Sequence, residues 1–237
     1  PGVCKSAVDF GAGEDEASVL TESNDFFHCL FAVFHYFLLY YINRSIFNFT
    51  IHNGHINAAK AFMDQMQLHY LFIIPTALSP WKIRDEGDDG KHRMKMCELA
   101  FEGEVGVIIS DMEIERGGIS YTVDTLRSLA REDRRLFMLV GTDMALKLDQ
   151  WREPEEIFKL CYPTYVRRES DKLLENQIIE KNTTYLAKYG KICRRIMTNE
   201  IELSSSEIRQ RVREGKDISH LVPQKVAQYI KDNNLYL

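Results

Sequence analysis

Two histidines flank a glycine in His52-Asn53-Gly54-His55, a spacing that puts two ring nitrogens on the same side of a chain entering a helix. A helix start also presents backbone N–H groups with no carbonyl of their own helix to bind, and the positive end of the helix dipole. Gly54 lets a ligand come close to the backbone there. Such a corner suits a multiply charged anion, above all a chain of phosphates. Read alone, the two histidines fit surface or capping positions equally well, and a metal pair lacks a third ligand at suitable spacing.

Further groups with chemical potential follow in order. Ser120-Tyr121-Thr122-Val123-Asp124-Thr125-Leu126 reads as a helix start, where N–H groups could favour a carboxylate over an uncharged amide and Asp124 would orient or cap. Gly141-Thr142-Asp143 and Trp151 come next, and Trp151 offers a flat stacking surface, although an isolated tryptophan also suits a core. In Ser204-Ser205-Ser206-Glu207-Ile208-Arg209, Ser204 and Glu207 have capping-box spacing, Ser205 and Ser206 offer hydroxyls, and Arg209 offers a fixed fork of donors. The serines could simply cap and Arg209 could lie on an ordinary helix surface. Lys82 sits in Ser79-Pro80-Trp81-Lys82, a setting in which a lysine is commonly just solvated, and Arg168 ends an apolar run.

Short apolar runs at 42–49, 70–75, 105–110, 136–140, 162–167 and 192–197 predict strands that position these groups. Between them, 57–66, 92–101, 123–131, 153–160 and 172–188 have apolar residues at helical spacing. That alternation predicts an α/β fold, a Rossmann-like open parallel sheet flanked by helices, with two further C-terminal helices separated by Gly215 and Pro223. In such a sheet ligands bind beyond the carboxyl ends of the strands, which is where the histidines fall. The charged, glycine-bearing stretch 85–91 reads as a mobile loop.

Taken together, the groups of residues quoted above resemble nicotinate mononucleotide adenylyltransferases of the bacterial type, within the HxGH superfamily of adenylyl and cytidylyl transferases. The likeness extends from Ile51 to Leu237. It implies AMP transfer from ATP to nicotinate mononucleotide, giving deamido-NAD and pyrophosphate, with a divalent cation, expected to be magnesium, accompanying the triphosphate. No metal site made of protein ligands is expected. The resemblance gives catalytic roles to His52, His55, Lys82 and Arg209, and ATP contacts to both histidines, Gly141, Asp143, Ser205, Ser206 and Arg209. It gives acceptor contacts to Tyr121, Thr122, Asp124, Trp151 and Arg168. Nicotinamide mononucleotide or phosphopantetheine as acceptor, and a nucleotide-binding protein without catalysis, are the alternatives.

The pattern departs from the family in two places. Trp81 stands where the family has a histidine before the lysine, and 45–50, Ser-Ile-Phe-Asn-Phe-Thr, replace the family's Gly-Gly-Thr-Phe-Asp-Pro. Bulky side chains there should obstruct the close backbone approach that glycines permit. Residues 1–41 are therefore expected to be an atypical leader and 42–237 the transferase domain, with 11–25 flexible and the apolar run 26–42 open to three readings: a signal anchor, a buried helix or sequence foreign to the domain. A misread or rearranged reading frame before Ile51 would produce such a junction.

Composition bounds the rest. At 237 residues and 45% hydrophobic content the chain can bury a sizeable core, and a formal net charge of −5 argues against nonspecific nucleic-acid binding. Five cysteines without a CxxC pair fit a reducing compartment and a cytoplasmic enzyme rather than a disulfide framework or zinc site. No nucleic-acid or membrane partner is expected, and a homo-oligomer is compatible with everything above.

Overall fold

In the computed structural model the described residues are 35–40, 50–78, 80, 90–167, 172–198 and 203–237, with 35–40 and 172–173 described through their backbone. They fall within one compact unit, Phe34–Leu237. Six strands, β1 (His35–Tyr40), β2 (Tyr70–Ile73), β3 (Val107–Ile109), β4 (Arg134–Gly141), β5 (Cys161–Val166) and β6 (Arg194–Ile196), form one sheet in the order β3-β2-β1-β4-β5-β6. Every neighbouring pair is parallel. The order reverses direction between β1 and β4, which opens a crevice at the carboxyl ends of those two strands.

Five of the six strands lie within the expected apolar runs or overlap them, and the first does not. It occupies His35–Tyr40, with Phe37 in register with both Tyr70 and Leu136, so the sheet takes in residues ahead of the expected boundary at 42. The expected strand at 42–49 lies outside the described residues. A central parallel strand is covered on both faces and so demands an unbroken apolar sequence, which part of the run 26–42 supplies. No helix among the described residues is long and apolar enough to cross a membrane.

Nine α-helices are described: α1 (Asn53–Gln65), α2 (Gly90–Ala100), α3 (Met112–Arg116), α4 (Thr122–Leu129), α5 (Thr142–Ala145), α6 (Pro154–Leu160), α7 (Lys172–Tyr189), α8 (Ser205–Arg213) and α9 (Gln224–Asp232). They sort onto the two faces of the sheet. On one face α1 buries His55, Ala58, Ala59 and Phe62, an i, i+3, i+4, i+7 stripe, and joins Met96, Ile208, Val226 and Ile230 from α2, α8 and α9. On the other, Val123 and Leu126 of α4, Ile157 and Phe158 of α6 and Tyr185 of α7 pack together. The strands alternate between the two cores: Leu136, Met138 and Val140 point to the second, Leu139 to the first.

The C-terminal pair of helices is separated as the sequence implies. Gly215 takes φ +66°, and Gly215 N and Lys216 N donate to the carbonyls of Val212 and Arg211 at 3.0 and 2.8 Å, a left-handed helix stop that favours glycine. Pro223 then caps α9. Short α3 and α5 were not foreseen, since four or five residues carry too little periodicity to show in a sequence. Cys97, Cys161 and Cys193 are buried free thiols; burial pushes the first two up to about 12.

Phe158 is fully buried and stacks on Tyr189 with ring centroids 4.5 Å apart, beside Tyr185 at 5.0 Å. Phe158→Ala should therefore lower unfolding free energy by about 3–5 kcal/mol in urea titration, the range for a phenylalanine removed from a packed core. A loss below about 1 kcal/mol would mean that α6 and α7 do not close over the sheet in this way.

Candidate active site

The chain enters α1 through two fully buried residues, Thr50 and Ile51. His52 caps the helix in an extended conformation, φ −141° and ψ 168°, and its carbonyl accepts from His55 N at 2.9 Å. The His52 backbone N–H in turn donates to His55 Nδ1 at 3.4 Å. Acceptance at Nδ1 puts the neutral ring's proton on Nε2 and leaves that atom as a donor. The two imidazoles stack with centroids 3.7 Å apart and both are buried. Histidine rings at this spacing are held by the helix geometry itself, so any anion that meets them finds donors already oriented.

Two segments from the C-terminal end clamp this corner. Ser205 Oγ, on a residue only 1% exposed, donates to the Thr50 carbonyl at 3.0 Å. Asn53 N donates to the Leu221 carbonyl at 2.9 Å and Asn53 Nδ2 to the His220 carbonyl at 3.2 Å. The start of α8 is thus fixed against the start of α1. At α8, Ser204 Oγ accepts from Glu207 N at 3.1 Å, so the cap is Ser204, while Ser205 serves as the tie to Thr50. Arg209 is 4% exposed and its Nη2 donates to Ser206 Oγ at 3.0 Å. Two helix N-termini are therefore tied together, one carrying the histidines and the other a buried guanidinium, groups whose chemistry suits an anion.

The aromatic pair is assembled separately. Tyr121 caps α4, Thr122 is its first residue and Asp124 lies in its first turn. Trp151 closes the 3-10 turn Leu148–Gln150, and both Tyr121 and Trp151 pack against the second core while remaining partly exposed. Arg152 links them: its guanidinium lies 4.5 Å from the Tyr121 ring centroid, and its Nη1 is 3.9 Å from Asp124 Oδ2. Gly141 ends β4 and caps α5, where Asp143 is exposed and Thr142 Oγ1 donates to the Val166 carbonyl at 3.3 Å. Because all strands are parallel, these segments follow carboxyl ends along one edge of the sheet. Lys82 and Arg168 lie outside the described residues, as do 45–49 of the substituted loop.

Sequence reasoning passed over several residues that organise this edge. Arg93, 6% exposed on α2, donates through Nη1 to the Thr76 carbonyl and through Nη2 to that of Ala77 at 3.5 Å. Ala77 N donates to Ser120 Oγ at 3.0 Å, and Ser120 N to the Leu78 carbonyl at 2.8 Å. Glu113 and Thr125 lie beneath the same turn. Glu113 sits in a charged run that reads as solvated, and only the i+12 pairing with Thr125 in three dimensions reveals it as buried. Among the described residues no group of three or more histidine, cysteine, aspartate or glutamate side chains could hold a metal ion. A divalent cation at this edge would be carried by the oxygens of a bound triphosphate.

The cytidylyltransferase-like family model matches residues 46–211. A Clostridium botulinum protein named a probable nicotinate-nucleotide adenylyltransferase is 36% identical over 200 residues, spanning 82% of this chain and 99% of the relative. A Rhodopirellula baltica protein of the same name is 33% identical over 190 residues, 78% of this chain and 88% of its own. Among solved structures, Plasmodium falciparum nicotinic acid mononucleotide adenylyltransferase complexed with NaAD aligns with a TM-score of 0.63 over 85% of this chain and 97% of that one, at 16% identity, a likeness of fold.

Removing the Ser205 hydroxyl leaves the buried Thr50 carbonyl without its donor, so Ser205→Ala should cost ~1–2 kcal/mol of stability in urea unfolding. An unchanged midpoint would show that α8 is not tied to α1 through this bond. On the strength of the matched family model and of the bacterial relatives at more than 30% identity, the chain belongs to the nicotinate-nucleotide adenylyltransferase family of cytidylyltransferase-like proteins.

Proposed function

We propose that this chain transfers AMP from ATP to nicotinate mononucleotide, releasing pyrophosphate and forming deamido-NAD, a step of NAD biosynthesis. The observation that supports the reading is the tie between the α1 and α8 starts, Ser205 to the Thr50 carbonyl, with His52 and His55 on one helix start and Ser206 and Arg209 on the other. A relative named for this activity is matched over 99% of its length, and two solved structural neighbours are complexes with NaAD and with APC.

In this reading a phosphate oxygen of nicotinate mononucleotide attacks the α-phosphorus of ATP in line. One P–O bond forms, the bond from the α-phosphorus to the bridging oxygen breaks, and pyrophosphate leaves with its electron pair. Such transfer needs positioning and charge stabilisation rather than a protein nucleophile. Nε2 of His55, aimed by the Nδ1 contact to the His52 backbone, donates to the oxygens on which charge grows, with His52 beside it. Arg209 and the serines hold the outer phosphates, and Lys82 adds a further positive charge. Gly141 and Asp143 lie toward the ATP sugar. A divalent cation, expected to be magnesium, would accompany the triphosphate and lower its charge.

The acceptor meets the other group. The N–H groups that open α4, at Thr122 and Val123, face a carboxylate favourably, while those of Asp124 and Thr125 donate to the Tyr121 carbonyl at 3.1 and 3.4 Å. Tyr121 and Trp151 flank the pyridine ring in this reading, Asp124 with Arg152 braces the turn, and Arg168 is assigned to the acceptor by resemblance alone. A cytoplasmic enzyme is the setting that goes with this reading.

Pyrophosphate release by the purified chain with ATP, magnesium and nicotinate mononucleotide should exceed that with nicotinamide mononucleotide or phosphopantetheine. His55→Ala should lower kcat by about a hundredfold or more, the scale for loss of a donor to developing charge, while leaving the melting temperature within a few degrees. Release that is unchanged in His55→Ala would remove the histidines from the chemistry. No release with any acceptor, from folded protein that binds ATP, would favour a binding protein without catalysis.

A further inference from the structure

Glu113 is a buried charge for which the chemistry above has no use. It is 1% exposed, on α3, and its Oε1 accepts a hydrogen bond from Thr125 Oγ1 at 2.5 Å. Burial pushes its carboxyl above the ordinary glutamate range, while hydrogen bonds from Thr125 and Ser120 and the charges of Arg116 and Arg93 act in the opposite direction. Arg116 Nη2 also donates to Thr125 Oγ1, at 3.1 Å. An apolar side chain of the same volume would commonly serve stability as well or better than a charge buried with its partners. Retaining a carboxylate here needs another explanation, and its partners supply one.

Thr125, whose hydroxyl meets Glu113, and the neighbouring Ser120 both belong to the acceptor turn. Ser120 immediately precedes Tyr121, the cap of α4, and Thr125 lies in that helix one turn further on, with its side chain fully buried. Ser120 is fixed on its other side by Ala77 N and the Leu78 carbonyl, and those loop residues are held in turn by Arg93. Glu113 therefore holds the far end of the first turn of α4 from below at Thr125, while Ala77 and Leu78 hold the near end at Ser120, with Arg116 and Arg93 offsetting its charge. A helix turn gripped at both ends cannot tilt, and tilt is what would spoil the alignment of its N–H groups with a planar carboxylate.

We propose that Glu113 is a positioning residue for the acceptor: through Thr125 it fixes the first turn of α4 and thereby sets the preference for nicotinate over nicotinamide mononucleotide. The proposal rests on the assignment of that turn to the acceptor's carboxylate under Proposed function. It makes a split in the kinetics that general loss of packing would not. A loosened turn loses the oriented donors that a carboxylate needs, whereas an amide gains little from them and ATP, held at α1 and α8, does not touch them.

The test uses Glu113→Gln, Thr125→Val and Thr125→Ser in the full chain, with kcat and KM measured for nicotinate mononucleotide, nicotinamide mononucleotide and ATP. In Glu113→Gln and Thr125→Val, KM for nicotinate mononucleotide should rise about tenfold and the nicotinate-to-nicotinamide ratio of kcat/KM should fall by about as much, with KM for ATP within about twofold of wild type. Thr125→Ser, which keeps the hydroxyl, should restore the ratio. If Glu113→Gln does not fold, the Val and Ser pair at 125 carries the comparison. An unchanged ratio in Thr125→Val, or equal changes in KM for ATP and for the acceptor, would overturn the positioning role while leaving the activity standing. A wild-type chain inactive with nicotinate mononucleotide would overturn the activity, and this proposal with it.

Discussion

The carbonyl of Thr50 is buried, and the hydroxyl of Ser205, more than 150 residues later in the chain, satisfies it. Much of the site follows from that contact. A carbonyl taken out of water without a partner is costly, so the start of α1 and the start of α8 must stay together whenever the chain is folded. Asn53 repeats the constraint through its backbone and side chain, to Leu221 and His220. Two helix N-termini that would otherwise be independent are thereby aimed at one place. Their dipoles and N–H groups would repel one another's charge if left alone, and an anion between them relieves this.

The parallel sheet supplies the second constraint. With all six strands running the same way, every loop leaving a carboxyl end arrives on one edge, and the reversal between β1 and β4 opens that edge at its centre. The phosphate corner follows β1, Gly141 and Asp143 follow β4, and the aromatic pair is brought up by α4 and the turn before α6. Rigid elements hold the donors while the connections between strands and helices carry the variable chemistry. The buried polar braid of Arg93, Ser120, Glu113 and Thr125 stiffens one of those connections and leaves the others to packing.

Much of this was legible from residue order. The alternation of runs predicted the sheet and the main helices because apolar period is set by how each element is covered, and five strands overlap their expected positions. The strand at 35–40 was not legible because a central parallel strand and a hydrophobic anchor make the same demand on sequence, an unbroken apolar run. The histidine pair and the serine-arginine helix start were readable because caps and anion sites use few residue types at fixed spacing. Glu113, Arg93 and Arg152 were not, since their meaning lies in partners distant in sequence: a glutamate among charges at 111–116 looks solvated until Thr125 is seen beside it. Ser205 looked like one hydroxyl of a serine cap; the structure divides the labour, Ser204 capping and Ser205 bracing.

The glycines that let ATP lie against the backbone in related sequences are replaced here by bulkier residues at 45–50, which makes the corner at Thr50 the part of the account under most strain. A crystal structure of the protein with a nonhydrolysable ATP analogue and magnesium tests it most directly. The triphosphate should lie between the two helix starts, with His52 or His55 and Arg209 within hydrogen-bond distance of the same nucleotide. A triphosphate bound at another edge of the sheet, or touching only one of the two helices, would contradict the account.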